Sequence, residues 1–258
     1  MVRSDFLLFV RDAVTTLRRR PRLAVPFLVA AVVGAVADAL RLVGPLPVRV
    51  STAVSGGWTN VYTQPAPGVV SPVWTTPWAT LGLAPASLAW FLVAAGGTAV
   101  AGAAATTVVI HRAPFGPTVD GSLPRRVAWA APQIAAFELL VVAAATALTA
   151  VAVTRGILAH GLFFVGTFLG GLTLLTPAAL VEGLSLPRAL ARSIRLTGRQ
   201  PWTFTVTLVA VGVAANTAVS LPALLGLPVV VGTALGTLAV GLPFALVVAA
   251  AVERTDVE

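Results

Sequence analysis

Along this chain, polar and apolar positions alternate on the scale of whole helices. Six stretches of about twenty residues or more carry scarcely a charge: residues 23–43, 83–110, 127–153, 156–180, 202–221 and 229–252. As helices, each is long enough to cross about 30 Å of hydrocarbon. The joints at Arg155 and at 222–228 are short, so the spans they connect form tight hairpins. The pattern predicts an all-α polytopic membrane bundle of six transmembrane helices with two amphipathic helices on its cytoplasmic surface, in a single domain over residues 1–258.

The two amphipathic segments repeat at helical period. In 4–20, Phe6, Val10, Ala13 and Leu17 form an apolar stripe, with Phe9 and Val14 beside it. Asp5 near the start and Arg18, Arg19 and Arg20 at the end suit the helix dipole. This is expected to be a packed anchoring helix, with membrane sensing or partner docking as the alternative. In 185–198, Arg188, Arg192, Arg195 and Arg199 recur at steps of four, three and four, which puts them on one helical face. Leu186, Leu190, Ser193, Ile194 and Thr197 fall opposite, Pro187 stands near the helix start and Gly198 near its end. Such a helix is expected to lie apolar face down on the inner surface. Its arginines would meet anionic headgroups or a protein partner, with Glu182 as counter-charge for one of them.

Charge fixes the expected orientation. Only 10% of residues are charged and 57% are hydrophobic, whereas soluble domains carry about 25% charged residues. The net charge is +8, and all 17 basic residues are arginine. With the N-terminus inside, 14 arginines fall on the cytoplasmic side, and Arg41, Arg49 and Arg155 fall outside. The positive-inside rule therefore predicts a multi-pass plasma-membrane protein with both termini cytoplasmic. Ala35-Val36-Ala37 resembles a signal-peptidase site, but the charged region ahead of it is too long for an ordinary signal peptide, so the first span is expected to stay. The arginines flank apolar spans instead of building a basic soluble domain, which argues against nucleic acid as partner and for anionic lipid. The absence of cysteine excludes disulfides and thiolate chemistry.

The segments between spans are weaker signals. Residues 44–82 form a long outside loop rich in Pro, Gly, Ser and Thr, in which 48–54 and 58–64 suggest a β-hairpin around Ser55-Gly56-Gly57. Trp58, Tyr62, Trp74 and Trp78 would make an aromatic cap at the outer headgroups. Residues 111–126 read as a connector broken by proline and glycine. Gly166-x-x-x-Gly170 and Gly232-x-x-x-Gly236 offer close helix contacts.

Four polar residues inside the spans are candidates for function: Glu138, Asp38, His160 and Asn216. Ionisable groups at such depth are costly and mark functional sites by default. Glu138 falls about 16 Å past Val127 at 1.5 Å per residue, near the midplane. Either these residues line a polar path for a proton, a cation or a lipid headgroup, or they tie helices together. Asp38 with Arg41 at i+3 also fits a simple interfacial ion pair. Gln133 falls too far round the helix to share Glu138's face fully. His111 and His160 should lie on opposite sides of the membrane. No catalytic constellation, metal set or cofactor site is expected.

The segment Glu182-Gly183 to Arg192-Ser193, with Pro177 ahead of it and Ala189-Leu190 and Arg195-Leu196-Thr197 around it, resembles a motif of the glycerophosphoryl diester phosphodiesterase membrane-domain group and its stand-alone prokaryotic relatives, including haloarchaeal ones. The resemblance covers about 25 residues and implies about six spans, the motif following the fourth. In fused relatives a separate soluble domain carries phosphodiester hydrolysis, so hydrolysis is not expected of this chain. The expected function is that of a non-enzymatic component that organises the membrane or assists a partner. The alternative is a small transporter or permease subunit using an intramembrane carboxylate.

Overall fold

Length and lack of charge make the apolar stretches helical. A computed structural model describes residues 2–44, 46, 48–50, 68–74, 83–114, 122–155 and 158–257. In chain order, the helices are α1 (Val2–Arg19), α2 (Val25–Val43), α3 (Pro85–Arg112), α4 (Leu123–Arg155), α5 (Leu158–Leu172), α6 (Thr176–Val181), α7 (Leu186–Thr197), α8 (Pro201–Leu224), α9 (Val229–Gly236) and α10 (Leu242–Val257). A 3-10 turn, Pro21–Ala24, leads into α2, and a π-helical turn, Thr237–Gly241, joins α9 to α10. Among the described residues, six helical stretches are long and apolar enough to span a membrane: Pro21–Val43, Pro85–Arg112, Leu123–Ala144, Phe164–Val181, Pro201–Leu224 and Val229–Thr255. The protein is an all-α, multi-pass membrane bundle. Proline sits in the first turn of α2, α3, α6, α7 and α8, where its missing N–H costs nothing.

The last span is the axis of the bundle. In its most apolar window 78% is buried, against 28–56% in the other five, so protein and not lipid surrounds it. Ala245 through Val252 are all buried. A helix apolar on every side suits such a position, with no polar face to turn toward water.

The fourth span is interrupted. Instead of one helix over 156–180, α5 stops at Leu172 and α6 begins at Thr176, with Pro177 in its first turn. The N–H groups of Thr173, Leu174 and Thr176 make short turn bonds across the break.

Helix α1 packs as an anchor against α8 and α10. Its buried stripe is Phe9, Ala13 and Thr16, turned from the expected one, so Val10 and Leu17 are only partly covered and Val14 is 44% exposed. Phe9 stacks on Phe204 at 6.3 Å between ring centroids. Two long-range contacts tie the arginine-bearing helix ends together. Arg254 donates to Asp12 Oδ2 through Nε (3.2 Å) and Nη2 (2.7 Å), and Arg20 reaches the Arg112 carbonyl at 3.5 Å. The arginine clusters that lie apart in sequence therefore share one end of the bundle.

Candidate functional site

At the heart of the bundle lies a length of chain that is not helical. Residues 68–74 belong to the segment expected to rest as a cap on the bilayer, yet Gly68, Val70, Pro72 and Val73 are buried. Four glycines on different elements make room for this backbone. A Cβ on Gly34 of α2 would stand 2.5 Å from Val69 Cγ1, and one on Gly102 of α3 2.9 Å from the Val69 nitrogen and 3.0 Å from Gly68 Cα. At Gly236 it would stand 3.1 Å from Val70 Cγ1, and at Gly241 in the π turn 2.5 Å from the Gly68 oxygen. Gly102 lies roughly 15 Å along α3 from Arg112 at 1.5 Å per residue, so Gly68 sits at mid-membrane depth. Irregular backbone is tolerated there only when protein encloses it or a cavity lines it.

Two polar anchors, Thr237 and Asp38, hold the segment. The Val70 N–H donates to Thr237 Oγ1 at 3.1 Å, where the π turn displaces the helical ladder. The Ser71 hydroxyl donates to Asp38 Oδ2 at 2.6 Å, and Thr233 donates to the same oxygen at 2.6 Å. Arg41 donates to Asp38 Oδ1 at 3.2 Å. Asp38 is 0% exposed and Arg41 7%. The expected interfacial ion pair is therefore a buried hub joining α2, α9 and the inserted segment. Outside the hub, Val73–Trp74 pairs antiparallel with Arg49–Val50. Val50 pairs with Val73; the hairpin expected between 48–54 and 58–64 falls mostly outside the described residues, as do Trp58, Tyr62 and Trp78.

Glu138 meets the inner tip of this segment. A Cβ on Gly68 would stand 2.7 Å from Glu138 Oε1. That oxygen is fully buried and has no hydrogen-bond partner among the described residues. Asp38 and Glu138 are thus linked by the stretch from Gly68 to Ser71, one at each end. Asn216 is half-buried on α8, and no described hydrogen bond joins it to either carboxylate. His160 lies in α5, but its side chain is outside the described residues.

The arginine helix, α7, is stitched onto the broken fourth span. Ser193 Oγ donates to the Leu172 carbonyl at 2.9 Å and accepts from the Leu175 N–H at 3.1 Å, while Thr197 Oγ1 donates to the Leu172 carbonyl at 2.8 Å. These are backbone groups that the break sets free. Ala189, Ser193, Leu196 and Thr197 form the face buried in the protein, whereas Ile194 is 47% exposed. Arg192 pairs with Glu182, as the sequence suggested. Arg126 donates to the Glu182 carbonyl at 3.3 Å. Gly183 takes the left-handed conformation at φ 101°, and a Cβ there would stand 2.7 Å from Arg126 Nη1. Gly198 ends α7 in right-handed geometry, so the left-handed glycine is the one closing α6. Gln133, unremarkable in the sequence, accepts the Leu186 N–H at 3.1 Å and so positions the start of α7. Glu182, Gly183, Arg192 and Ser193 therefore act together as a clasp, while Arg188, Arg195 and Arg199 remain exposed.

Compared with protein-family models, with curated proteins and with solved structures, the chain matches none.

Proposed function

We propose that the chain is a small permease that moves a proton or a small cation, with Glu138 as the carrying carboxylate and residues 68–74 as the gate over it. The observation that carries this reading is the buried, unpartnered Oε1 of Glu138 against the tip of an inserted, non-helical segment. An isolated buried charge is costly, so a carboxyl there binds a proton or a counter-cation. Interrupted backbone at the midplane is where transporters build their ion sites. The π turn adjoining the segment is a second device common at functional sites. In the proposed cycle, Ser71 leaves Asp38 and Val70 leaves Thr237, the segment moves outward, and Glu138 exchanges its cation with that side.

The test is flux into proteoliposomes with internal pH- and sodium-sensitive dyes. Glu138→Gln is expected to lower the flux by at least about tenfold, the loss of one essential carrying group. Flux equal to wild type in a folded Glu138→Gln protein would sink the reading.

A second reading rests on the arginine-rich end: the chain organises an anionic leaflet or docks a partner there. Arg188 and Arg195 on α7 and Arg199 just past its end are exposed and share this end with Arg18, Arg19 and Arg20. Each basic side chain near an anionic surface gains about 1 kcal/mol. In either reading we propose a plasma-membrane protein with this end and both termini cytoplasmic, supported by the arginine bias, and a relative of the phosphodiesterase membrane-domain group, supported by the Glu182-Gly183 to Arg192-Ser193 motif.

A further inference from the structure

The cationic end of the bundle contains a formed cavity as well as a charged surface. Asp12, Thr15, Thr16, Arg19 and Arg20 of the α1 end line it on one side, and Pro114, just past α3, on the other. Its volume is about 360 Å³, within the range of small-ligand sites. Its one acid, Asp12, is held by Arg254 at 2.7 Å, so its charge is already answered. Arg20 lines the cavity and braces its rim through one guanidinium nitrogen on the Arg112 carbonyl. Arg19 is exposed and, among the described residues, has no acidic partner. Guanidinium groups with hydroxyls beside them match the oxygens of a phosphate, which arginine binds through paired, charge-assisted hydrogen bonds. The cavity sits where the arginine-bearing ends of α1, α3 and α10 meet, the level at which headgroups of a bilayer would lie.

From this arrangement we infer a discrete phosphate site, built by Arg19, Arg20, Thr15 and Thr16, that takes the headgroup of an anionic phospholipid. It uses no residue of the Glu138 slot and stands whether or not the chain transports anything. It also differs from diffuse attraction along α7, because it holds one headgroup per chain and needs particular side chains.

Native mass spectrometry of the intact protein in mild detergent tests it, with phosphatidylglycerol or phosphatidylcholine added. Wild type is expected to retain one phosphatidylglycerol and to discriminate against phosphatidylcholine. Arg19→Gln/Arg20→Gln is expected to weaken retention at least about tenfold, the loss of two charge-assisted contacts. Arg22→Gln/Arg125→Gln removes the same charge from exposed positions outside the cavity and is expected to bind as wild type. Thr15→Val/Thr16→Val keeps shape and charge but removes both hydroxyls, and is expected to weaken retention several-fold. Equal loss in the two arginine pairs, equal retention of both lipids, or full retention in the threonine pair would each overturn the site. A parallel arm adds excess inorganic phosphate. Persistence of the lipid assigns the site to headgroups, whereas displacement with phosphate bound in its place assigns it to free phosphate; both uphold phosphate chemistry there.

Discussion

At the scale of single residues, the hub at Asp38 and the glycines around residues 68–70 make opposite demands. Asp38 supplies charge that neighbouring groups answer. Arg41 depends on it, being 7% exposed and bonded to Asp38 through Nη1, while its buried Nε has no partner among the described residues. Removing one member of a buried ion pair costs about 3–5 kcal/mol, whereas replacing both with apolar residues is close to neutral. Asp38→Ala is therefore expected to lower stability by about that amount, and Asp38→Leu with Arg41→Leu to recover only part of it, since the Ser71 and Thr233 hydroxyls still lose their acceptor. Thermal unfolding in detergent distinguishes the two. The glycines supply absence of bulk. Gly102→Ala drives a methyl into the backbone of Val69 and Gly68, which cannot yield as a side-chain tip can. It is expected to displace the segment, and a cysteine introduced by Val73→Cys, at a position 2% exposed, should then react with a maleimide several-fold faster. Gly97→Ala meets nothing within 4 Å and should leave that rate unchanged. Asp38 and Glu138 were legible in the sequence because ionisable residues stand out in apolar spans. Their connection was not, because it runs through Gly68–Ser71, a stretch that reads as ordinary loop, and because a glycine's role is set by what approaches it from other helices.

At the scale of elements, the helices were read well where length and hydropathy decide, and less well where one backbone bond does. The break at Thr173–Leu175 has no strong signal beyond Pro177, and a stretch of this hydropathy reads as continuous. Likewise, nothing in Thr237–Gly241 marks a π turn, which arises from fitting Thr237 to the Val70 N–H and Gly241 to the Gly68 carbonyl. Of the arginine stripe, Arg188 and Arg195 stand exposed on α7, Arg192 turns to Glu182 and Arg199 lies past the helix end. Ser193 and Thr197 carry the docking through hydroxyls, and apolar Ile194 faces out. Docking by hydrogen bonds to a broken helix has a measurable consequence. Ser193→Ala leaves the buried Leu175 N–H without its partner, at a cost of about 1–3 kcal/mol. Amide exchange is expected to accelerate across 172–197 and not in α10. Uniform acceleration throughout the bundle would show instead that α7 is no separate unit.

At the scale of the whole molecule, polarity along the membrane normal organises everything else. Contacts between Asp12 and Arg254, Arg20 and Arg112, and Arg126 and Glu182 gather at the arginine-rich end. The hub and the inserted segment lie toward the other end and at mid-depth, with Arg41 as an isolated, neutralised cation. A gate over Glu138 that opens away from the arginines would exchange with the exterior only if that end is cytoplasmic, so orientation decides whether the proposed permease takes its cation from outside. The chain contains no cysteine, which allows single reporters without background. Ser122, ahead of α4, and Ala84, ahead of α3, are both exposed and lie at opposite ends of the bundle. In intact cells, a membrane-impermeant maleimide is expected to label Ala84→Cys and spare Ser122→Cys until the membrane is permeabilised. The reverse pattern would turn the arginine-rich end outward, against the positive-inside rule, and would make Glu138 exchange with the cytoplasm.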